Sequence, residues 1–254
     1  MLERALHFWR VFGAGISFSI VGAAGVLVFP VLNLVVWRRS WRRDLARQAI
    51  WLTFRGIVSI MRALRIIRVD VTGLERLERR GLLILANHPS LIDVVLLMAF
   101  VKQADCIIKR GVWRNPFTHA TVRAADYIRN DSGPGLVEKC IASLESGSNL
   151  IIFPEGTRTP PDGSIRLQRG AANIAVRTLR NVTPVLIRCT PAMVGKGRQF
   201  WWTLARSIHY RIEVGEDIDT RPFVNQALSE TLAARRLTRY LQEYLSNGNR
   251  SYAI

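Results

Sequence analysis

His88 and Asp93 stand five residues apart in NHPSLID (87–93), directly after the apolar run GLLILA. An imidazole at the exit of a buried strand, with a carboxylate one helical turn farther in, has the parts of a general base. The carboxylate holds one ring N–H and fixes the tautomer, and the other ring nitrogen points outward to take a proton from a hydroxyl. Asp93 also follows Ser90 by three residues, the spacing of a capping box, so it can cap a helix over LIDVVLLMAF at the same time. A second group lies in FPEGTR, Phe153 to Arg158, after the strand-like NLII. Gly156 offers a tight turn with close backbone approach, Thr157 a hydroxyl and Arg158 a guanidinium, which together make a phosphate cradle. Glu155 fits an anion site only as the partner that orients Arg158, Arg129 or a substrate hydroxyl. Arg129 in YIRND and Lys109 with Arg110 in IIKRG place cations at two more strand exits. A solvated surface cation is the ordinary reading of each. Cations gathered at the ends of one sheet, however, need a compensating anion such as a phosphate.

These residues need a scaffold of alternating strands and helices. VDVTG, LLILAN, CIIKR, DYIRN, NLIIFP, PVLIRC and IHYRIEV read as strands, from residue 69 to residue 214. LIDVVLLMAFV, GPGLVEKCIASLES and GAANIAVRTLR read as helices between them, and NQALSETLAARRLTRYLQEYLSNG closes the chain as a helix ending near Gly248. The alternation predicts an α/β fold with a mixed, mainly buried sheet flanked by helices. In such sheets ligands collect where strand ends feed into helices, which is where NHPSLID, YIRND and FPEGTR all fall.

The segment before this domain has another texture. Val11 to Trp37 carries no formal charge, and this run is longer than the roughly 20 apolar residues that cross a bilayer. A signal peptide is the alternative, but the apolar run continues past GAAG and meets RRSWRRDLAR. Arg38, Arg39, Arg42, Arg43 and Arg47 outweigh the charges before the run, which puts the C-terminal side in the cytoplasm. Pro30 and the glycines leave a re-entrant insertion open. In the next stretch, 45–67, Arg47, Arg55, Arg62 and Arg65 fall within an arc of roughly 80° on a helix. That face either lies on anionic lipid or stays solvated while the helix packs on the domain. The expected division is therefore residues 1–67 as anchoring helices and 68–254 as the α/β domain, held at the cytoplasmic face of the inner membrane.

With 36 Lys and Arg against 19 Asp and Glu, the net charge of +17 calls for an anionic partner. No zinc-finger spacing, RNP-type motif or helix-turn-helix supports nucleic acid, so an anionic membrane surface or phosphorylated substrates fit better. Cys106, Cys140 and Cys189 lack any C-x-x-C pairing and read as reduced buried thiols, with no metal site.

NHPSLID followed by FPEGTR resembles the glycerophosphate and lysophospholipid acyltransferase family, of the bacterial 1-acylglycerol-3-phosphate type. The family's first motif, N-H-x-S-x-x-D, is matched by Asn87, His88, Ser90 and Asp93, and its F-P-E-G-T-R motif by Phe153 to Arg158. VTPVLI around Pro184 is similar to its fourth motif. The likeness covers about residues 70 to 215. The second motif departs: Arg129 is present, but Arg123 stands where the family commonly has glycine. The resemblance implies acyl transfer from acyl-CoA or acyl carrier protein to a lysophospholipid hydroxyl, with His88 as base and Asp93 orienting it. It further implies that Arg129, Glu155, Gly156, Thr157 and Arg158 shape the acceptor site, with Lys109 and Ser90 as further contacts, and that no cofactor takes part. Two other readings stay open: a family enzyme acting on a non-glycerolipid acceptor in a specialised lipid or polyene pathway, or a silent protein that binds anionic lipid.

Overall fold

The computed structural model describes residues 2–90, 92–130, 135–160, 162–191 and 206–250. Among them are seven strands: β1 Ile67–Thr72, β2 Leu83–Ala86, β3 Ala104–Ile108, β4 Ile128–Arg129, β5 Asn149–Ile152, β6 Val182–Thr190 and β7 Ile208–Val214. They form one sheet in the order β1-β7-β6-β2-β5-β3-β4. From β6 to β4 every neighbouring pair is parallel, while β7 runs antiparallel to β6 and parallel to β1. The sheet is mixed and sandwiched by helices, as the alternation in the sequence predicts. Because β2 to β6 all run the same way, the loops after β2, β3, β4 and β5 open on a single edge.

Both faces of the sheet are covered, and the side chains alternate between two cores with the strand period of two. Ile84, Ala86 and Ile151 point into one core, whereas Leu83, Leu85, Leu150 and Ile152 point into the other. The first core is closed by α1 Leu2–Val35, α2 Arg39–Ala63, α3 Asp93–Phe100 and α5 Pro116–Ala124, with the short α4 Arg110–Arg114 before α5. The second is closed by α6 Gly135–Glu145, α7 Gly170–Thr178, α8 Arg221–Asn225 and α9 Glu230–Arg250. In α9, Ala233, Ala234, Leu237, Leu241 and Leu245 are buried at helical spacing. Asn115 caps α5 through its side chain, which accepts from the Phe117 N–H. Helices α4, α5 and α8 have no counterpart among the segments that the sequence marks as helical.

α1 is long and apolar enough, by length and composition, to cross a membrane. It nevertheless packs along most of its length on α2 and α5. Gly13 sits where a Cβ would meet Leu64 and Ile66, Gly25 lies against the Phe117 carbonyl, and the Asn33 amide donates to the Ala120 carbonyl at 2.9 Å. Its other side, with Phe8, Phe12, Ile16, Leu27, Val31 and Leu34, is exposed.

α2 keeps Arg55 and Arg62 exposed while it packs on the domain, but its expected basic face breaks at Arg47. Ala46, Arg47, Ile50, Ile57, Val58 and Met61 are buried, and the helix packs on α3. Arg47 is neither solvated nor free for lipid: its guanidinium pairs with Asp105 at 2.7 Å, and donates to Ser148 Oγ at 2.8 Å and the Ala125 carbonyl at 3.0 Å. Arg65 lies beyond the last turn with φ of 54°, in the left-handed region that ends a helix. Cys106 and Cys140 are buried thiols and Cys189 is half-buried. Burial pushes the Cys140 thiol up to about 12, so that it stays protonated.

Candidate active site

The loop after β2 is fixed before any catalytic side chain is considered. The buried Asn87 amide bridges to β6, donating to the Ile187 carbonyl at 2.8 Å and accepting the Ile187 N–H at 2.7 Å. Next in sequence, the His88 N–H donates to Glu155 Oε1 at 2.9 Å and to Thr159 Oγ1 at 3.1 Å, while the Thr159 N–H returns to the His88 carbonyl at 2.8 Å. The Thr159 hydroxyl also donates to Glu155 Oε1 at 2.7 Å. The two motif loops, after β2 and after β5, are thus stitched together by backbone and buried side-chain bonds.

Within that frame His88 Nδ1 lies 2.9 Å from Asp93 Oδ2. The same carboxylate oxygen accepts the Ser90 N–H at 2.6 Å, and the Ser90 hydroxyl donates to Oδ1. Asp93 is the first residue of α3 and is fully buried, while a fifth of the His88 side chain is exposed. The expected capping box does not form, because α3 begins at Asp93 with Ile92 at the N-cap and no side-chain cap bond; Ser90 and Asp93 instead close a turn ahead of the helix, and one Asp93 oxygen serves both that turn and His88. A carboxylate held this way keeps the Nδ1 proton on His88 and leaves Nε2 as the basic nitrogen. Phe153 supports the imidazole, with ring centroids 4.5 Å apart. Below Ser90 lies Tyr210 of β7, fully buried; burial pushes its hydroxyl up, opposed by a hydrogen bond with Ser90.

Glu155 is 5% exposed and turns inward. Burial pushes its carboxyl up, and the Thr159 hydroxyl and the His88 N–H pull it back. Gly156 has φ of 67°, a conformation that glycine adopts at no steric cost, and its N–H closes the turn on the Phe153 carbonyl at 3.1 Å. Thr157 is exposed and Arg158 half-buried on the outer side of that turn.

The structure brings His88, Ser90, Asp93 and Glu155 into one hydrogen-bonded cluster, with Gly156, Thr157 and Arg158 on the adjoining turn. Lys109 stands at the N-cap position of α4, exposed beyond the end of β3, and makes no side-chain cap bond. Arg129 ends β4, the outermost strand, three strand positions from β2, and its guanidinium lies over the Trp113 ring at 5.1 Å from the centroid. At strand spacings that is ~14 Å across the sheet. Thr159 and Tyr210 are the residues of this cluster that sequence reasoning passes over. Thr159 could have been suspected only from its place one residue beyond FPEGTR, and Tyr210 carries no local signal.

Three comparisons bear on this arrangement. The Acyltransferase family model matches residues 68–188, which contain the whole cluster except Tyr210. The 1-acyl-sn-glycerol-3-phosphate acyltransferase of Pseudomonas aeruginosa is 30% identical over 188 residues, covering 72% of this chain and 69% of the relative. A chloroplastic 1-acyl-sn-glycerol-3-phosphate acyltransferase of Arabidopsis thaliana is 25% identical over 77% of this chain, which spans just over half, 54%, of that relative. The crystal structure of the 1-acyl-sn-glycerophosphate acyltransferase PlsC from Thermotoga maritima superposes with a TM-score of 0.72 at 21% identity. It covers 98% of this chain and 97% of its own, a likeness of fold that includes the N-terminal helices.

Proposed function

The chain belongs to the family of 1-acyl-sn-glycerol-3-phosphate acyltransferases, and from that premise we propose that it moves a fatty acyl group from an acyl thioester to the free hydroxyl of a lysophospholipid, 1-acylglycerol-3-phosphate foremost. The observation that carries the reading is the 2.9 Å contact between His88 Nδ1 and the fully buried Asp93, with the imidazole reaching the surface.

In this mechanism His88 Nε2 takes the proton of the acceptor hydroxyl as its oxygen attacks the thioester carbonyl. The tetrahedral intermediate collapses with loss of the thiolate, which regains the proton from the imidazolium. One C–O bond forms, one C–S bond breaks, and no protein nucleophile takes part. Asp93 stabilises the imidazolium and holds its orientation. Glu155 acts as a positioning residue through the His88 N–H and Thr159. The Gly156 N–H is committed to the Phe153 carbonyl, so the oxyanion needs other donors. Arg158, with Thr157 and Gly156 shaping the turn, takes the acceptor phosphate through charge-assisted hydrogen bonds, and Arg129 faces the same edge from β4.

The enzyme works at a membrane surface. α1 touches folded elements from Gly13 to Asn33, ~30 Å of helix, and this favours a side-on seat over a free transmembrane span. Its exposed apolar side enters the lipid, and Trp37 and Trp41, both exposed, suit the interface beside the arginines of early α2. On the charge rule the catalytic domain faces the cytoplasm.

A screen of purified protein with acyl-CoA and acyl carrier protein thioesters, against lysophosphatidate, other lysolipids and non-glycerolipid alcohols, tests the reading. Transfer to lysophosphatidate is the expected result. Failure with every pair would leave an anionic-lipid-binding protein. Retention in membranes washed with high salt and carbonate is expected of the inserted helix, and recovery in the soluble fraction without detergent would remove the membrane seat.

A further inference from the structure

Outside α1, α2 and the turn between them, the described residues leave few large apolar side chains exposed. Most of these stand singly on the second-core side, at the end of α7, before α9 and on α9, as is ordinary for a solvated surface. Val112, 42% exposed, and Phe117, 60% exposed, differ because they lie on the first-core side, where α1 packs on α5. They belong to the corner between α4 and α5, KRGVWRNPF (109–117), in which every residue but Trp113 is exposed. This corner is firmly built. The Val112 carbonyl accepts the Thr118 hydroxyl at 2.6 Å, and His119 Nδ1 lies 2.8 Å from the Trp113 carbonyl. The Trp113 ring meets the His119 ring edge-on and lies under the Arg129 guanidinium. From α1, Gly25 fits so closely against the Phe117 carbonyl that a Cβ there would clash. These contacts use carbonyls and the indole, and they leave the Val112 and Phe117 side chains outside.

Resting on the membrane seat proposed above, we infer that the α4–α5 corner is a second lipid contact. Phe117 and Val112 enter an anionic bilayer beside α1, and Arg110 and Arg114 meet its headgroups. Two observations select lipid over another partner. The corner continues the apolar side of α1, since Val26, Leu27 and Val28, next to Gly25, are exposed as well. Its apolar groups also stand among cations, and no Asp or Glu occurs between Asp105 and Asp126 to cancel them. Apolar side chains ringed by cations match an apolar interior beneath a negatively charged surface. The position gives the contact a use. α4 follows β3, and β3 pairs with β5, whose exit carries the FPEGTR turn. Paired strands stand ~5 Å apart, so the corner borders the turn that carries Arg158. Seating it on lipid holds the strand-end edge, with Arg158 and His88, against the headgroups. A lysophospholipid then reaches His88 sideways from the bilayer.

The test puts a bimane label on the full chain, in a Cys189→Ser background because the other two cysteines are buried. Phe117→Cys, Val31→Cys on α1 and Leu228→Cys on the opposite side of the sheet carry it in turn. Each protein is placed with vesicles of phosphatidylglycerol and phosphatidylcholine, with and without bromine on the acyl chains. We expect brominated chains to quench the label at 117 and at 31 and to leave it unchanged at 228. Quenching at 31 without quenching at 117 overturns the corner and leaves α1 in the membrane. Quenching at neither removes the membrane seat and the corner with it, and equal quenching at all three shows unspecific contact and also overturns the corner. This arm needs no turnover, so it stands whichever acceptor the enzyme uses. In a second arm, Val112→Glu/Phe117→Glu should lower kcat/KM for a long-chain lysophosphatidate in vesicles roughly tenfold or more. Its rate on a short-chain lysophosphatidate dissolved as monomers should hold, as should its melting temperature. No loss on either substrate, or equal loss on both, overturns the lipid contact.

Discussion

Asp93 and Asp105 are two buried aspartates on one sheet with nearly the same bonding. Each accepts a serine hydroxyl, from Ser90 or Ser143, and a backbone N–H, from Ser90 or Cys106. Each then meets one nitrogen-bearing side chain, His88 at 2.9 Å or Arg47 at 2.7 Å. The difference lies in that third partner. Arg47 is 2% exposed and its guanidinium does not give up a proton, so the pair can only hold α2 to β3. His88 is 20% exposed, and an imidazole can both take and give a proton. A buried carboxylate is thus no sign of chemistry by itself; a titratable partner with a path to solvent is. Burial pushes the Asp105 carboxyl up, with Arg47, Ser143 and the Cys106 N–H pulling back, a balance that belongs to packing rather than turnover.

The sharpest way to break the comparison is to disable each aspartate in turn. His88→Ala should lower kcat by roughly 10²–10⁴-fold, and Asp93→Asn should follow because the ring loses its tautomer control. Asp105→Asn, assayed where it remains folded, should keep kcat close to that of the parent. Wild-type turnover by His88→Ala would sink the assignment of the base. A melt must accompany Asp93→Asn, since that carboxylate also bonds Ser90 at the head of α3.

The structural pair should show itself in stability. Arg47→Ala leaves a buried carboxylate uncompensated, at a cost of about 3–5 kcal/mol. Replacing both partners, as Arg47→Met/Asp105→Leu, should recover much of that loss, because no charge then remains buried. Chemical denaturation of the three proteins measures this. An Arg47→Ala variant as stable as the parent would show that the pair holds nothing.

Much of the catalytic side of this contrast is legible in the sequence, and little of the structural side is. All seven strands and the His88–Asp93 spacing follow from local pattern: apolar runs bounded by turns, and an S-x-x-D stretch that closes a turn before α3 rather than the capping box it spells. Arg47 could not be placed that way. Helical periodicity puts it on a face but does not say what packs there, and its partner lies 58 residues away at the head of the apolar run ADCII. That carboxylate within a strand-like run was the available signal. Helices α4 and α5 were hidden for another reason: RGVWRNPFTHATVRA is short, polar and broken by Pro116, so its helices rest on the Asn115 cap and on α1 rather than on an apolar stripe. The reach of Glu155 to the His88 backbone is likewise a tertiary contact that no spacing reveals.

Arg158 offers a smaller test on the catalytic edge. Arg158→Ala should raise the acceptor KM roughly tenfold or more at saturating thioester, through the lost charge-assisted bonds, while the donor KM stays put. A change confined to the donor side would move the acceptor phosphate away from the FPEGTR turn.

Glu155 gives the smallest and most specific effect, because it joins both themes: a buried carboxylate that positions a catalytic loop. Its folded carboxyl is raised above the ordinary 4.5, burial outweighing the Thr159 and His88 donors. Between 4.5 and that raised value the folded chain holds the proton more tightly than the unfolded chain does. Stability contributed by this group is therefore full below that window and declines as pH rises through it. Glu155→Gln keeps an acceptor oxygen for the His88 N–H and removes the titration. The wild-type melting temperature minus that of the variant should thus fall as pH rises from about 4.5 and then level off; the slope from Asp105, present in both, cancels. Turnover by Glu155→Gln should drop by less than about tenfold, since one neutral hydrogen bond replaces a stronger one of similar shape. A difference curve that is flat, or that climbs with pH, would remove Glu155 as a buried titrating partner of the His88 loop.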